Sequence, residues 1–385
     1  MSSGKRMQGR RPGPSFFRAP ARVNIIGEHT DYNDGFVLPT TTALYTSVTA
    51  TPRSDRIVRV TSLEVQDTQE FDLDDIEPDQ QPQWIDYAKG VAAEIEAAGI
   101  HLQGAHLEVA SEIPLGGGLS SSASFELAIA TALLGVAGAS LPKPEIARLC
   151  QRAENRYAGL SCGIMDQYTV ASCERGNAIL LDCRSLAVEQ VAIPQDAGML
   201  ITHSGVNHRL PDSGYNNRAE ECAEAVARLQ GRLSGLTALR DLAAGELEQH
   251  QDLLGDRLYR RCRHVVTENR RVLDAFDALK NNDVESLGHL ISDSHASLRD
   301  DYEVSCGEVD RLVQIACASD GVLGARMIGG GFGGCVLALV VSDKIDDTAR
   351  HIKLQYTLPD GAPPWTHVVA AADPAGEIAP AEANG

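Results

Sequence analysis

The stretch that organises the chain is Pro114-Leu115-Gly116-Gly117-Gly118-Leu119-Ser120-Ser121-Ser122-Ala123-Ser124. The alternating apolar residues 104–110 before it predict a strand, and the apolar residues 125–134 after it predict a buried helix. A loop between a strand and a helix start directs backbone N–H groups and the positive end of the helix dipole towards one point. Such a point suits an anion, most often a phosphate.

The glycines and serines of this loop favour a phosphate site over a simple helix cap. Three consecutive glycines, residues 116–118, let the backbone approach an anion without Cβ clashes. The serines at 120–122 add hydrogen-bond donors, and one hydroxyl could contact a phosphate-bound Mg²⁺. The alternative, a serine-capped helix after a flexible turn, needs only one serine. The sequence therefore predicts a phosphate loop.

Composition predicts an ordinary globular protein of two domains, because the chain has 385 residues of which 43% are hydrophobic. The net charge of -19 argues against nonspecific binding to nucleic acid or to an anionic membrane, but it allows a local nucleotide site. The nine cysteines are an odd number and include no C-x-x-C pair, which favours a reducing, cytoplasmic setting. We expect neither a secretory signal nor a membrane-spanning segment.

Changes in pattern along the chain predict the domain limits. Residues 1–14 are basic with Gly and Pro and are predicted to be disordered, and residues 373–385 are predicted to be a flexible tail. A boundary near residue 196 separates domains at 15–196 and 197–372. Strands are predicted at 54–73 and 322–341 and as a pair at 178–182 and 199–202; helices are predicted at 87–98, 144–158, 217–230, 258–278 and 284–294.

A second glycine-rich segment, Met327–Gly334, contains the letters of a dinucleotide fingerprint, Gly329-x-Gly331-x-x-Gly334. That fingerprint requires a following helix. Residues 335–341 are apolar and β-branched instead, which predicts a strand. We therefore expect a tight turn that packs close to a bound phosphate or sugar. No Walker A string occurs, so a P-loop fold is unsupported.

Polar residues elsewhere suggest a ligand site. Glu28, His29 and Asp31 follow an apolar strand, and the pattern suits a hydroxyl-rich ligand better than a metal or a solvated loop. Asp166 lies among apolar neighbours, where a carboxylate is either a helix N-cap or a general base. From the residues alone the cap is favoured. Glu154 taken alone predicts a surface helix residue.

Several of these motifs resemble one family. Arg22–Asn33, which reads RVNIIGEHTDYN, resembles the galactokinase signature. Pro114–Ser124 and Met327–Gly334 resemble the phosphate loop and third motif of the wider superfamily of galactokinase, homoserine kinase, mevalonate kinase and phosphomevalonate kinase, abbreviated GHMP. Cys162–Gln167 and Ser297–Ser305 also resemble galactokinase. The likeness runs from about Phe16 to about Ala371.

The resemblance implies a fold and a reaction. The fold would be α/β, of the α+β kind, with an N-terminal mixed α/β domain, a C-terminal ferredoxin-like α/β domain and the active site in the cleft between them. The reaction would be transfer of the γ-phosphate of MgATP to the anomeric hydroxyl of D-galactose. ATP and Mg²⁺ are thus the implied cofactors, and the protein would be a cytoplasmic monomer or weak homodimer.

The resemblance also assigns roles by motif position. It makes Asp166 the catalytic carboxylate and Arg22 its cationic neighbour. The implied sugar contacts are Glu28, His29, Asp31, Gly163 and Tyr215. The implied nucleotide contacts are Gly116, Gly117, Gly118, Leu119, Ser120, Ser121, Ser122, Ala123 and Trp84. The implied Mg²⁺ region is Ser121 or Ser122 with Glu154.

Two alternatives to a galactokinase stay open at this stage. One is a related sugar kinase for N-acetylgalactosamine or arabinose. The other is a non-catalytic sensor that binds galactose and ATP. Such sensors are expected to have damaged phosphate loops, whereas residues 120–124 read SSSAS without interruption. The sensor is therefore the weaker hypothesis.

Overall fold

A computed structural model of the protein describes residues 13–114, 116–160, 162–206, 214–358 and 360–382. Residues 1–12 of the segment predicted to be disordered lie outside these ranges. The strands are β1 (Ser15–Asn24), β2 (Phe36–Val37), β3 (Pro39–Pro52), β4 (Ile57–Ser62), β5 (Asp67–Asp72), β6 (Ala105–Ser111), β7 (Asn177–Asp182), β8 (Val188–Ala192), β9 (Ala197–His203), β10 (Val322–Met327), β11 (Cys335–Val341), β12 (Thr366–Val368) and β13 (Gly376–Ile378). The helices are α1 (Trp84–Ala97), α2 (Ser121–Ala137), α3 (Lys143–Ala153), α4 (Met165–Ser172), α5 (Tyr215–Gln230), α6 (Ala244–Gln249), α7 (Gln251–Lys280), α8 (Val284–Asp300), α9 (Gly307–Cys317) and α10 (Ile345–Gln355).

The larger sheet is mixed and carries the first half of the site. Its main path runs β13-β1-β3-β6-β4-β5, with β7 paired to β2, β3 and β8. Only the β4–β6 pair is parallel within this described sheet. From Ala19 onward β1 is buried almost throughout, because α2 packs across it and β3. Arg22 near the inner end of β1 therefore lies in the interior rather than in solvent.

Helix α2 is apolar around most of its circumference, as expected for a helix enclosed on several sides. It contacts α1, α3 and α4 as well as the sheet. Gly135 lets Phe17 pack against it, since a Cβ at this position would lie 2.4 Å from the phenyl ring. The helix is thereby fixed on the sheet, and its first turn, at Ser121, is held in one place.

The second sheet is antiparallel, in the order β10-β11-β9-β12. Its strands are apolar on both faces near the centre, and Cys335–Val340 of β11 is fully buried. Helices α8 and α9 pack on β10, and α5 and α8 pack on the long helix α7. The turn from β10 to β11 is the glycine-rich segment 327–334. The fold places this turn beside the larger sheet.

Most predicted elements are confirmed, but the predicted pairing of 178–182 with 199–202 is wrong. The strands expected to pair at 178–182 and 199–202 exist as β7 and β9, but they belong to different sheets. β7 pairs with β8, whereas β9 pairs with β11 and β12 along its buried length. Nearness in sequence suggested a hairpin, but the apolar surface of β9 is covered by β11 instead.

The tail predicted to be flexible also differs from expectation. β13 pairs antiparallel with β1, with Phe16 opposite Ile378. Ahead of it the Ala375 N–H donates to the Val170 carbonyl at 2.9 Å, and the Thr41 hydroxyl donates to the Ala372 carbonyl at 3.1 Å. The backbone of residues 376–378 thus completes the edge of the larger sheet. In the described ranges no helix combines the length and apolar character needed to cross a membrane.

Candidate active site

The centre of the site is an ion pair between β1 and α4. The Arg22 Nε donates to Asp166 Oδ1 at 2.7 Å and its Nη2 donates to Oδ2 at 2.9 Å. The Arg22 Nη1 donates to the Gly118 carbonyl at 2.5 Å, and the Ser120 hydroxyl donates to Asp166 Oδ2. Burial opposes the positive charge, but the carboxylates of Asp166 and Glu28 outweigh it, and the pKa of Arg22 is raised.

Asp166 is not a helix cap. Helix α4 has Ile164 at its N-cap, and Asp166 is its second residue. The carboxylate instead receives the three donors of Arg22 and Ser120, so the interpretation as a cap is wrong. An acidic residue in the first turn of a helix is stabilised by the helix dipole.

The two glycine-rich segments pack backbone against backbone. A Cβ on Gly118, at φ +73°, would lie 2.8 Å from the Ile328 carbonyl oxygen. A Cβ on Gly329, at φ +79°, would lie 2.7 Å from the Cα of Gly118. Only glycine fits both positions, because each combines a left-handed conformation with no room for a side chain. The contact joins the phosphate loop to the turn between β10 and β11.

The remaining predicted loop residues contribute through the backbone or at the helix start. Leu119 and Ala123 are buried, and the Leu119 carbonyl accepts from the Arg22 N–H at 3.3 Å. Gly116 has φ +71°, and a Cβ on Gly117 would lie 3.4 Å from the sulfur of Cys335. The half-buried Ser121 and Ser122 open α2, whose positive dipole end faces this loop.

The structure brings the predicted sugar contacts together. Glu28, His29, Asp31, Gly163 and Tyr215 line one cavity with Arg22, Asp166, Gly329 and Gly330. Gly163 lies against Asp31 so closely that a Cβ would be 1.9 Å from Asp31 Oδ2. A larger residue at 163 would displace that carboxylate from the cavity wall. The cavity is rich in both donors and acceptors, as a hydroxylated ligand requires.

Glu28 links the two halves of the site. Its side chain is 2% exposed. The Gly329 N–H donates to Glu28 Oε1 at 2.8 Å, and Nη2 of the fully buried Arg326 lies 3.1 Å from the same oxygen. Arg326 was missed by the sequence analysis. An arginine in the otherwise apolar strand β10 was the available signal, since an enclosed cation needs an acidic partner.

Burial shifts the pKa of two side chains in this cavity. Asp31 has its pKa raised to about 7, first by burial and then by the negative charge of Asp166. His29 has its pKa lowered well below the usual histidine value, first by burial and then by the electrostatic influence of His264 and of the positively charged Arg218. The imidazole is therefore neutral at physiological pH. His29 also has a positive φ of 63°, an uncommon conformation that the surrounding structure must hold.

Glu154 is buried rather than on the surface, so that prediction is wrong. It begins a π-helical turn, Glu154–Ala158, which follows α3 and turns the carboxylate inward. The Gln167 amide donates to Glu154 Oε2 at 2.6 Å, and the Cys162 thiol donates to the same atom at 3.2 Å. Burial raises the pKa of Glu154, while a hydrogen bond from Ser122 lowers it. The carboxylate thus lies beside the phosphate loop.

A second carboxylic acid in this region was also missed. Glu126 is fully buried on α2, and its Oε2 accepts from the Gln167 amide at 3.1 Å. Burial first, and the nearby Glu154 second, raise its pKa well above the usual range. A glutamate in the apolar run after the serines was the signal. Gln167 therefore joins two buried acids, one of them in the predicted Mg²⁺ region.

Trp84 is a predicted nucleotide contact that does not line this cavity. It begins α1, its indole N–H donates to Asp67 Oδ2 at 3.0 Å, and its ring meets Phe125 edge-on with centroids 6.5 Å apart. Phe125 belongs to the first turns of α2, so Trp84 lies on the helix side of the phosphate loop. Its nucleotide role stays a prediction.

Comparison with known proteins gives three matching family models. They are the GHMP kinases N terminal domain at residues 86–174, the GHMP kinases C terminal domain at 275–356, and the galactokinase galactose-binding signature at 5–52. The chain is 45% identical over 351 residues to a galactokinase of Chloroflexus aggregans, covering 91% of this chain and 90% of that protein. It is 41% identical over 343 residues to a galactokinase of Haemophilus influenzae, covering 88% of each.

Solved structures of related kinases also match this chain. The crystal structure of Lactococcus lactis galactokinase complexed with galactose matches with a TM-score of 0.90 at 37% identity, covering 95% of each chain. The mevalonate kinase of Methanococcus jannaschii matches with a TM-score of 0.67 at 17% identity, covering 94% of this chain and all of that one. The second likeness shows the fold alone.

Proposed function

The chain belongs to the galactokinases, a family with the two-domain GHMP kinase fold, and from this we propose which residues carry out each part of the reaction. It is an ATP-dependent sugar kinase that transfers the γ-phosphate of ATP to the anomeric hydroxyl of D-galactose. One observation carries the assignment of roles. The Arg22–Asp166 ion pair touches the phosphate loop at Gly118 and Ser120 on one side and lines the polar cavity on the other.

We assign to Asp166 the role of accepting the proton of the acceptor hydroxyl. The Asp166 carboxylate accepts two hydrogen bonds from Arg22 and can orient the hydroxyl and accept its proton. The anomeric oxygen then bonds to the γ-phosphorus, and the bond from that phosphorus to the β–γ bridging oxygen breaks, releasing ADP. Phosphoryl transfer depends mainly on positioning and charge neutralisation, which the buried Arg22 supplies.

We assign recognition of the sugar to Glu28, His29, Asp31, Gly163 and Tyr215. Asp31 and His29 offer an acceptor and a neutral imidazole to the same cavity. Galactose and glucose differ at the 4-hydroxyl. A buried acceptor or donor that the wrong epimer leaves unpaired costs about 1–3 kcal/mol, which is enough for strong discrimination.

We assign Mg²⁺ to Glu154 with Ser121 or Ser122. In the described ranges no group of three His, Cys, Asp or Glu residues could hold a metal ion on protein ligands alone. That fits Mg²⁺, which proteins commonly hold through one or two carboxylates together with the phosphates of a substrate. Glu154 is buried beside a serine of the phosphate loop, so a cation there would compensate its charge. Bound Mg²⁺ would neutralise phosphate charge and orient the nucleotide.

The domain limits, the location and the oligomeric state complete the proposal. We propose domains at 15–196 and 197–372 with the cavity between them, a cytoplasmic location, and a monomer or weak homodimer that binds no nucleic acid. All nine cysteines are free thiols, which suits a reducing compartment. Light scattering across a concentration series tests the oligomeric state: a stable tetramer would contradict this part.

A substrate panel with ADP detection tests the function. D-galactose, D-glucose, N-acetylgalactosamine and arabinose are each supplied with MgATP. We expect rapid ADP release with galactose and about ten- to hundred-fold lower kcat/KM with glucose. Turnover of another sugar without turnover of galactose would overturn the assignment. Binding of galactose and ATP without any turnover would indicate a sensor instead.

A further inference from the structure

The loop between β1 and β2, residues 25–35, carries the proposed sugar contacts Glu28, His29 and Asp31. We call it the sugar loop. Its backbone is in an unusual conformation on both sides of Glu28, because Gly27 has a φ of +106° and His29 a φ of 63°. A left-handed conformation at a residue other than glycine persists only where the surrounding structure holds it. The contacts that hold the sugar loop therefore also decide where its side chains point.

One face of the long helix α7 packs against the sugar loop. His264, Glu268 and Val272 follow one another at intervals of four residues, so they lie on the same side of the helix, and all three are fully buried. A Cβ on Gly27 would lie 2.8 Å from Val272 Cγ2, which shows how closely the loop approaches this face. A helix of the C-terminal half thus lies directly behind the sugar contacts of the N-terminal half.

Glu268 holds the start of the loop. The Gly27 N–H donates to Glu268 Oε1 at 3.0 Å. The Ser294 hydroxyl donates to the same oxygen at 2.6 Å, and Arg271 Nε donates to Oε2 at 2.7 Å. Burial opposes the negative charge of Glu268, but the positive charges of Arg271 and Arg326 help to outweigh it, and its pKa is lowered to about 2. An ionised acceptor makes a stronger hydrogen bond than a neutral one, so the peptide that precedes Gly27 is firmly held.

His264 holds the peptide that follows Glu28. His264 Nε2 lies 3.1 Å from the Glu28 carbonyl oxygen. A backbone carbonyl only accepts, so Nε2 carries a proton and donates it. Burial lowers the pKa of His264 to about 4, although the negative charge of Glu268 opposes this, so the ring is neutral near pH 7. Its other nitrogen, Nδ1, therefore has no proton and accepts from the Ser297 hydroxyl at 2.9 Å.

The two peptide groups on either side of the His29 Cα atom are both fixed in this way. The Glu28 carbonyl belongs to the peptide before His29 and accepts from His264. The His29 carbonyl belongs to the peptide after it and accepts from the Asn33 amide nitrogen at 2.9 Å. Fixing both peptide planes fixes φ and ψ of His29, and with them the direction in which its side chain leaves the backbone.

Asn269 holds the end of the loop. The Phe36 N–H, directly after the loop, donates to Asn269 Oδ1 at 2.9 Å. A Cβ on Gly35 would lie 2.4 Å from the same oxygen, so the backbone passes close to the helix here as well. The start, the centre and the end of the sugar loop are each bonded to α7. We call the three residues that make these bonds, His264, Glu268 and Asn269, the α7 clasp.

We propose that the α7 clasp positions the sugar loop, and that His264 holds His29 in its left-handed conformation so that Glu28 and His29 face the bound sugar. His264 is then a positioning residue, since it is not among the described residues that line the cavity. This proposal rests on the function proposed above, because it takes the cavity ligand to be galactose.

The decisive variants are a matched pair at His264. In His264→Gln the side-chain amide nitrogen can take the place of Nε2 and donate to the Glu28 carbonyl. His264→Met has a side chain of similar length without a donor. It would leave the Glu28 carbonyl buried and unpaired, and such a group is unfavourable enough to make the peptide turn towards another donor. His29 would then leave its left-handed conformation.

The first measurement is the crystal structure of each variant as the full chain without ligand. We expect His29 at positive φ in His264→Gln. In His264→Met we expect His29 at negative φ or a sugar loop without ordered density. A sugar loop in His264→Met that keeps His29 at positive φ would overturn the proposal. This comparison does not depend on whether the chain phosphorylates galactose.

The second measurement is steady-state kinetics with MgATP and D-galactose. His264→Met should raise the galactose KM by about ten-fold and leave the ATP KM unchanged, because the clasp contacts the sugar loop and not the phosphate loop. His264→Gln should bring the galactose KM back to within about three-fold of the wild type. Equal galactose KM values for the two variants, or a parallel rise in the ATP KM, would contradict the proposal. A wild type that phosphorylates another sugar instead of galactose would overturn the proposed function, and the crystal structures would still decide the role of His264.

A matched pair at Asn269 covers the case in which His264→Met does not fold. Asn269→Leu removes the acceptor of the Phe36 N–H from a side chain of the same shape, whereas Asn269→Asp keeps an oxygen in that place. We expect the galactose KM to rise about two- to three-fold in Asn269→Leu and to stay near the wild-type value in Asn269→Asp. Equal galactose KM values for these two variants would count against the clasp.

Val265→Ala is the structural control. Val265 follows His264 on α7, but it is fully buried in the apolar core of the C-terminal half. The substitution should lower the unfolding midpoint while leaving the galactose KM and the conformation of His29 unchanged. A galactose KM raised as much as in His264→Met would show that any weakening of α7 has this effect, and would refute a specific role of His264.

Discussion

Replacing Asp166 with asparagine removes the acceptor for the sugar proton while keeping the size of the side chain. Loss of a general base lowers kcat by about 10²- to 10⁴-fold, equivalent to about 2.7–5.4 kcal/mol at 1.36 kcal/mol per factor of ten. The geometry favours the upper part of that range. The new amide nitrogen would face Arg22 Nε in the position of Oδ1, or Arg22 Nη2 and the Ser120 hydroxyl in the position of Oδ2, and all three are donors to the carboxylate.

The same substitution has a smaller effect on stability. Arg22 loses one charge-assisted hydrogen bond, worth about 1.5–3 kcal/mol. Glu28 and Asp31 still stabilise its positive charge, so the guanidinium is not left without acidic neighbours. We therefore expect a loss of about 2 kcal/mol in the free energy of unfolding, measured by urea denaturation.

The assay is single-turnover phosphoryl transfer, with galactose binding measured separately by calorimetry. Binding should be largely retained in Asp166→Asn, because the other proposed sugar contacts are unchanged. Ser120→Ala is the matched control: it removes one donor to the carboxylate and should lower kcat by less than about ten-fold. A kcat for Asp166→Asn within three-fold of the wild type would refute the role of Asp166.

Three further predictions concern the loop, the cavity and the link between the halves. Gly118→Ala should lower the free energy of unfolding by about 1–3 kcal/mol and raise the ATP KM, because φ at this position is positive and a Cβ would meet the Ile328 carbonyl. Urea denaturation measures the stability and ATP titration measures the KM. Wild-type values for both would contradict the packing of Gly118 against Ile328. Asp31 has its pKa raised to about 7, so between about pH 4 and 7 the folded state keeps a proton that the unfolded chain has lost, and the stability this provides is lost as the pH rises through 7. Unfolding measured from pH 5 to 8 should therefore shift in favour of Asp31→Asn over the wild type up to about pH 7 and level off above it, and a pH-independent difference would count against it. Arg326→Met should lower the free energy of unfolding by about 3 kcal/mol, because it leaves the buried Glu28 without that cation. An unchanged unfolding midpoint would show that stability does not depend on the Arg326–Glu28 pair.

Local signals predicted the elements and the phosphate loop well. A strand, three glycines and a serine-rich helix start lie next to one another in sequence, so their geometry follows from neighbouring residues. The pairing of distant strands does not follow from neighbouring residues. β7 and β9 belong to different sheets because different apolar surfaces cover them. β13 forms a strand because β1 offers it a free edge.

The candidate site shows the same limit at the level of single residues. Asp166 alone resembles a helix cap, and Glu154 alone resembles a surface residue. Their character comes from partners that the fold supplies: Asp166 meets Arg22, 144 positions away, and Glu154 is turned inward by a π-helical turn. Family resemblance named these positions, but the residues themselves did not give the burial and hydrogen bonds that account for their chemistry.

The central claim is that one cavity brings the anomeric hydroxyl of galactose to Asp166 and to a phosphate held by the glycine loop. The most direct test is ³¹P and ¹³C NMR of the product formed from MgATP and galactose labelled with ¹³C at C1. We predict a single phosphomonoester whose phosphorus couples to the labelled C1, with loss of one equivalent of ATP. A phosphate on any other carbon, or ATP hydrolysis that leaves galactose unmodified, would contradict the account.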